Sequence, residues 1–141
     1  NQFNLTTKRY NSADIKGFIE NKSIVCCLNV KDKFGDNGIT VAAIIHIDNK
    51  VAYFDSFLLS CRILGRGIEK AFIKYLLNLL YEQGINIAYA KFIPTKKNSQ
   101  TKNFYDDIGF KIIEENKDGI RTYSYKLNKT LEIEKYYKFI K

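Results

Sequence analysis

Methionine and tryptophan are absent from this chain of 141 residues, proline and histidine occur once each, and cysteine three times. Each scarcity closes off a class of answer. Cys26, Cys27 and Cys61 are an odd set with two neighbouring members, which offers no disulfide framework, so reduced thiols in a cytoplasmic setting are expected. With His46 as the lone histidine and no Cys-x-x-Cys spacing, a structural zinc site has almost no ligands, and no metal is expected. No apolar run approaches the roughly 20 residues that cross a bilayer, and the opening residues lack a signal-peptide centre, so no membrane association is expected. A chain that opens on Asn1 and holds no methionine has no initiator, and we expect a piece of a longer polypeptide.

What is present is enough for a core. Hydrophobic residues make up 45% of the chain and aromatics 14%, and the length suits one ordered domain spanning 1–141. There are 23 basic against 15 acidic residues, a net +8 that favours an acidic partner. No basic helix, aromatic RNA platform or arginine cluster accompanies the charge, so nucleic acid is not the expected partner.

The periodicities alternate between strand and helix. Residues 2–7 read as a short strand; Asn11 caps a helix carrying Ile15, Phe18 and Ile19, with Asp14 three positions on. Residues 23–30 and 39–47 read as strands around a hairpin loop at 31–38, and 51–60 as a strand buried on both faces. From Ile68 the apolar spacing changes to threes and fours through Leu80, an amphipathic helix that Gly84 ends. A strand over 85–93 stops at Pro94, a helix covers 98–108, and strands at 111–115 and 121–126 flank the turn dipeptide Asp118-Gly119. Thr130 is read as the cap of a terminal helix. The order β, α, β, β, β, α, β, α, β, β predicts one α/β (α+β) domain with a mixed sheet flanked by helices.

A buried strand, a glycine turn and a long helix is a recurring way to bind phosphate, because free N–H groups at the helix start face the anion. Here the turn is Ser60-Cys61-Arg62-Ile63-Leu64-Gly65-Arg66-Gly67. After the next strand come Asn98 and then Phe104-Tyr105-Asp106-Asp107-Ile108-Gly109-Phe110. This pairing resembles the GNAT superfamily of acyl-CoA-dependent N-acyltransferases, in which Arg/Gln-x-x-Gly-x-Gly/Ala precedes the long helix and Phe-Tyr-x-x-x-Gly-Phe follows the next strand. The resemblance implies a GNAT fold and a donor pyrophosphate held at Ser60, Arg62, Ile63, Leu64, Gly65, Arg66 and Gly67, with Asn98 nearby. It also implies a pantetheine arm between the strands at 51–60 and 85–93, and Tyr105 as the acid that protonates the departing thiolate. With Arg62 as the leading residue the glycines fit but the helix starts slightly early; with Gly65-Arg66-Gly67-Ile68 aligned on Gly-x-Gly-Ile-Gly, Leu64 replaces the leading Arg/Gln and Glu69 the last glycine, where it would repel a pyrophosphate.

A narrower resemblance rests on residues 1–7, 32–38, 57–62, 65–67 and 94–98, which together look like the carboxy-terminal part of FkbH-like proteins. Those proteins resemble a haloacid-dehalogenase-type phosphatase domain joined to a GNAT-like domain, and load a glyceryl group onto an acyl carrier protein for methoxymalonyl-type polyketide units. The resemblance implies an acyl carrier protein and an amino-terminal phosphatase-type domain as partners. Phosphopantetheine on the carrier, or acyl-CoA, would then be the thiol cofactor. Cys61, at a strand end beside Arg62 and near a helix start, has the surroundings that lower a thiol pKa, and is the candidate for a glyceryl thioester. His46 and Asp55 are the candidate bases, Asp55 because a carboxyl in an apolar strand must be paired or shifted. A silent fold that docks a carrier, and an ordinary acetyl-CoA-dependent N-acetyltransferase, are the alternatives.

Overall fold

A computed structural model describes residues 3–5, 11–20, 23–32, 35–59, 67–134 and 139. The elements are β1 (Phe3–Asn4), α1 (Ser12–Glu20), β2 (Ile24–Asp32), β3 (Gly35–Asp48), β4 (Val51–Leu59), α2 (Ile68–Glu82), β5 (Ile87–Phe92), α3 (Phe104–Ile108), β6 (Lys111–Glu115) and β7 (Arg121–Lys126). That is the order expected from the sequence.

All seven strands join one mixed sheet in the order β2-β3-β4-β5-β7-β6, with β1 attached to β4 off that path. Among the described residues only β4 and β5 run parallel, joined by the crossover that carries α2; the other pairings are antiparallel. Helix α2 lays Ile68, Ala71, Phe72, Leu76 and Leu80 into the core as the sequence period predicts, but Ile73 and Leu77 are buried with them while Tyr75 and Leu79, also expected on that face, are only partly covered. Phe57 of β4 packs on Phe72 of α2 and Phe104 of α3, at ring-centroid distances of 5.9 and 5.3 Å, so both helices cover one face. On the other face Phe18 of α1 meets His46 edge-on at 5.0 Å. The start of α1 is capped reciprocally: Asn11 Oδ1 accepts from the Asp14 N–H and Asp14 Oδ2 from the Asn11 N–H, at 2.8 and 3.0 Å.

Four local expectations are corrected. The loop at 31–38 is much shorter, because β2 continues to Asp32 and β3 begins at Gly35, with Lys31 opposite Asp36 and Asp32 opposite Gly35. Ladder pairing there outweighs the turn preference of the residues. The helix at 98–108 breaks into a 3-10 turn, Ser99–Thr101, and α3. Its first turn is diverted by side chains, since the Thr101 hydroxyl donates to the Asn98 carbonyl at 2.7 Å. Residues 131–134 form no helix; the Leu131 backbone is clamped to the Asn78 carboxamide by bonds of 2.7 and 3.0 Å. Lastly, β4 is not covered on both faces throughout, since Tyr53 is 45% exposed.

Candidate functional site

The site begins with a fork. β4 and β5 pair in parallel through Val51–Ile87, Ala52–Ala88, Tyr53–Tyr89 and Phe54–Ala90, and no pair follows although both strands run on. At the same level β4 carries a bulge: Ile45 of β3 opposes Phe54 and Ile44 opposes Ser56, leaving Asp55 as the extra residue. A bulge bends its strand and re-aims a side chain. Together they open a cavity of about 580 Å³ lined by Tyr53, Phe54, Asp55, Tyr89, Ala90, Lys91, Ile93, Ile113 and Thr122. Its aromatic wall is the stacked pair Tyr53 and Tyr89, 5.6 Å between centroids. Exposed Ile113, on β6, faces it across the opening.

Asp55 brings the two candidate bases together. His46 Nε2 stands 3.4 Å from Asp55 Oδ1, with the histidine side chain 33% and the aspartate 10% exposed. The Ser56 hydroxyl donates to Asp55 Oδ2 at 3.2 Å, and Ser23 Oγ lies 2.7 Å from His46 Nδ1. So the residue just before β2 joins residues of β3 and β4 in one polar cluster. Ser23 was not singled out by sequence reasoning, because a serine at a strand entry carries no signal distinguishing it from any turn serine.

Tyr105 lies on the opposite side of the sheet, in α3, 1% exposed, ringed by Phe104, Phe110 and Tyr123. Its hydroxyl is buried without a hydrogen-bond partner. Burial, with Tyr123 adding to it, pushes the phenol well above the ordinary tyrosine value, so it stays protonated. Beside it, Tyr123 OH donates to Asp106 Oδ2 and ties β7 to α3 at 2.8 Å, while Arg121 Nε donates to Glu115 Oε1 between β7 and β6 at 2.8 Å. Burial also raises Tyr123, to about 12.

Asn98 is 1% exposed, and its carboxamide is spent within its own loop, accepting from the Thr95 N–H at 2.7 Å and donating to the Ile93 carbonyl at 2.8 Å. It braces the turn at Pro94. Cys61, Ser60, Arg62, Ile63, Leu64, Gly65 and Arg66 lie outside the described residues, as does the side chain of Cys27. Gly67 caps α2 with φ 78°, a left-handed conformation that suits glycine. Glu69, in the first turn, is buried, and its Oε2 has no hydrogen-bond partner. Cys26 is partly buried against the core, a packing role. Among the described residues no three His, Cys, Asp or Glu side chains form a metal-binding group.

The gap that the resemblance assigns to a pantetheine arm is bridged by the chain itself. Asn4 and Phe3 pair with Leu58 and Leu59 of β4, whose other edge is already held by β3. The next residue, fully buried Leu5, accepts from the Ile93 N–H just beyond β5 at 2.7 Å. An arm lying in the gap needs backbone groups that β1 and Leu5 use, so the gap in this arrangement does not fit one.

No protein-family model and no curated protein matches the chain. Solved structures do. The ribosomal-protein-S18-alanine N-acetyltransferase of Escherichia coli superposes with a TM-score of 0.64 at 11% identity, over 94% of this chain and 86% of that one. Ard1 of Thermoplasma volcanium gives 0.62 at 17% identity, over 89% and 84%. A GNAT-family acetyltransferase of Staphylococcus aureus Mu50 gives 0.63 at 17% identity, over 86% and 80%. The chain has a GNAT-like fold.

Proposed function

We propose that this domain is an acyltransferase of GNAT type. The observation that carries the reading is the cavity at the β4–β5 fork, with Asp55 in its wall on one side of the sheet and the protonated, unpartnered Tyr105 hydroxyl on the other. An acyl thioester presented at the mouth of the cavity, outside the gap that β1 fills, would meet an acceptor held in it. The acceptor's N–H or S–H proton passes to the Asp55 carboxylate as its lone pair adds to the acyl carbon. Collapse of the tetrahedral intermediate breaks the C–S bond, and the leaving thiolate takes the proton of Tyr105. Solvent exchange returns both groups to their starting state. In this reading the aspartate is the base and the phenol the acid.

For the finer reading we favour transfer of a glyceryl group to the phosphopantetheine thiol of an acyl carrier protein, with Cys61 as the donor thioester. The net +8 supports it, since it suits an acidic carrier. The fold neighbours favour the second reading, an acetyl-CoA-dependent N-acetyltransferase.

Intact-mass spectrometry separates them. The parent protein is supplied with 1,3-bisphosphoglycerate and an acyl carrier protein, and the chain alone with acetyl-CoA. The first reading expects a glyceryl adduct on the wild type that Cys61→Ala lacks, and no acetyl-CoA binding in the micromolar range. Persistence of the adduct in Cys61→Ala removes Cys61 from the mechanism; micromolar acetyl-CoA binding establishes the second reading.

A further inference from the structure

His46 is the only histidine in the chain, and its two ring nitrogens face unlike partners. Nδ1 is 2.7 Å from Ser23 Oγ; Nε2 is 3.4 Å from Asp55 Oδ1. A neutral imidazole carries one proton, and which nitrogen holds it depends on what each faces. A carboxylate offers only lone pairs. If Nε2 were bare, its lone pair would point at Asp55 and the two would repel; with the proton on Nε2, the contact becomes attractive. Nδ1 is then bare, and Ser23, whose hydroxyl can rotate, must donate to it.

Phe18 closes the arrangement, its ring tilted 67° to the imidazole, so the ring has an aromatic wall as well as two polar anchors. The contacts then run in one sense toward Asp55: Ser23 O–H donates to Nδ1, protonated Nε2 faces Oδ1 in a charge contact at 3.4 Å, and Ser56 O–H donates to Oδ2. The carboxylate is thus met on both oxygens while it lines the cavity.

We propose that Ser23 and His46 are positioning residues for Asp55: Ser23 fixes the Nε2–H tautomer of His46, which in turn orients the Asp55 carboxylate toward the cavity. The role assigned to Asp55 rests on the acyltransferase reading; the tautomer does not. Its counterpart is the generic strand histidine, packed for shape and indifferent to which nitrogen is protonated. The short Ser23 contact and the bulge that delivers Asp55 to the ring, rather than to the next register position, distinguish the two.

With one histidine, a long-range proton–nitrogen correlation spectrum of the 15N-labelled chain in mildly alkaline solution shows a single imidazole and needs no assignment. The expected pattern is a bare Nδ1 and a protonated Nε2. Ser23→Ala should shift it toward a mixture of tautomers, and Ser23→Thr, which keeps the hydroxyl, should restore it. A wild-type ring protonated on Nδ1, or a Ser23→Ala spectrum identical to wild type, overturns the proposal. In the acyl-transfer assay Ser23→Ala should lower kcat/KM on the order of 10- to 100-fold, the range seen when outer partners of metal-bound histidines are removed. An unchanged kcat/KM in an active enzyme also overturns it. The expected tautomer in a chain that transfers no acyl group leaves the Ser23–His46 lock standing and sinks the acyltransferase reading instead.

Discussion

Phe54 of β4 and Ala90 of β5 are the last parallel partners of the two central strands, and the residue after Phe54 is the bulged Asp55. Strand divergence and bulge therefore coincide at one level of the sheet. The divergence makes the cavity, and the bulge puts a carboxylate into its wall.

Tyr105→Phe should separate catalysis from stability. The hydroxyl is buried without a partner, and such a group costs about 1 to 3 kcal/mol, so its removal is expected to leave the fold as stable or to stabilise it by about 1 kcal/mol. Loss of a general acid should nonetheless lower acyl transfer by roughly 10²- to 10⁴-fold. Because the folded value is raised, the tyrosine's contribution is complete below the ordinary tyrosine pKa and is lost as pH rises toward the folded value. Urea unfolding at stepwise alkaline pH should show a shallower decline in Tyr105→Phe than in wild type.

Asn98→Ala should destabilise the domain by about 1 to 3 kcal/mol, since it removes two part-buried hydrogen bonds, from the Thr95 N–H and to the Ile93 carbonyl, each worth about 0.5 to 1.5 kcal/mol. Asn98→Asp keeps the acceptor but loses the donor, and should not rescue it. Equilibrium denaturation of both variants measures this. A stable Asn98→Ala with altered donor binding would instead mark Asn98 as a ligand contact.

Glu115 gives an acid dependence of the opposite sign. The Arg121 hydrogen bond holds its carboxyl below the usual glutamate value, so its contribution is present above that value and is lost as pH falls through the folded one. Glu115→Gln should be less stable than wild type near neutrality, and the gap should close in acid. Thermal melts across that range would show it; a constant gap would mean the pair contributes nothing beyond packing.

The sequence by itself determined the element order, the amphipathic stripe of α2 and the cap at Asn11, because each follows from periodicity or from contacts three or four residues apart. It also made Tyr105, His46 and Asp55 visible as chemistry in unusual places. Only the tertiary structure decided that Ser23, His46 and Asp55 meet, that Asp55 is a bulge, and that β1 crosses the fork instead of leaving it open. Those facts depend on which strand edge a segment finds and where a ladder slips by one residue, and the strand period of two is silent on both. The same holds for the Asn98 carboxamide's bonds to the Thr95 N–H and the Ile93 carbonyl, which only the folded Pro94 turn brings within its reach.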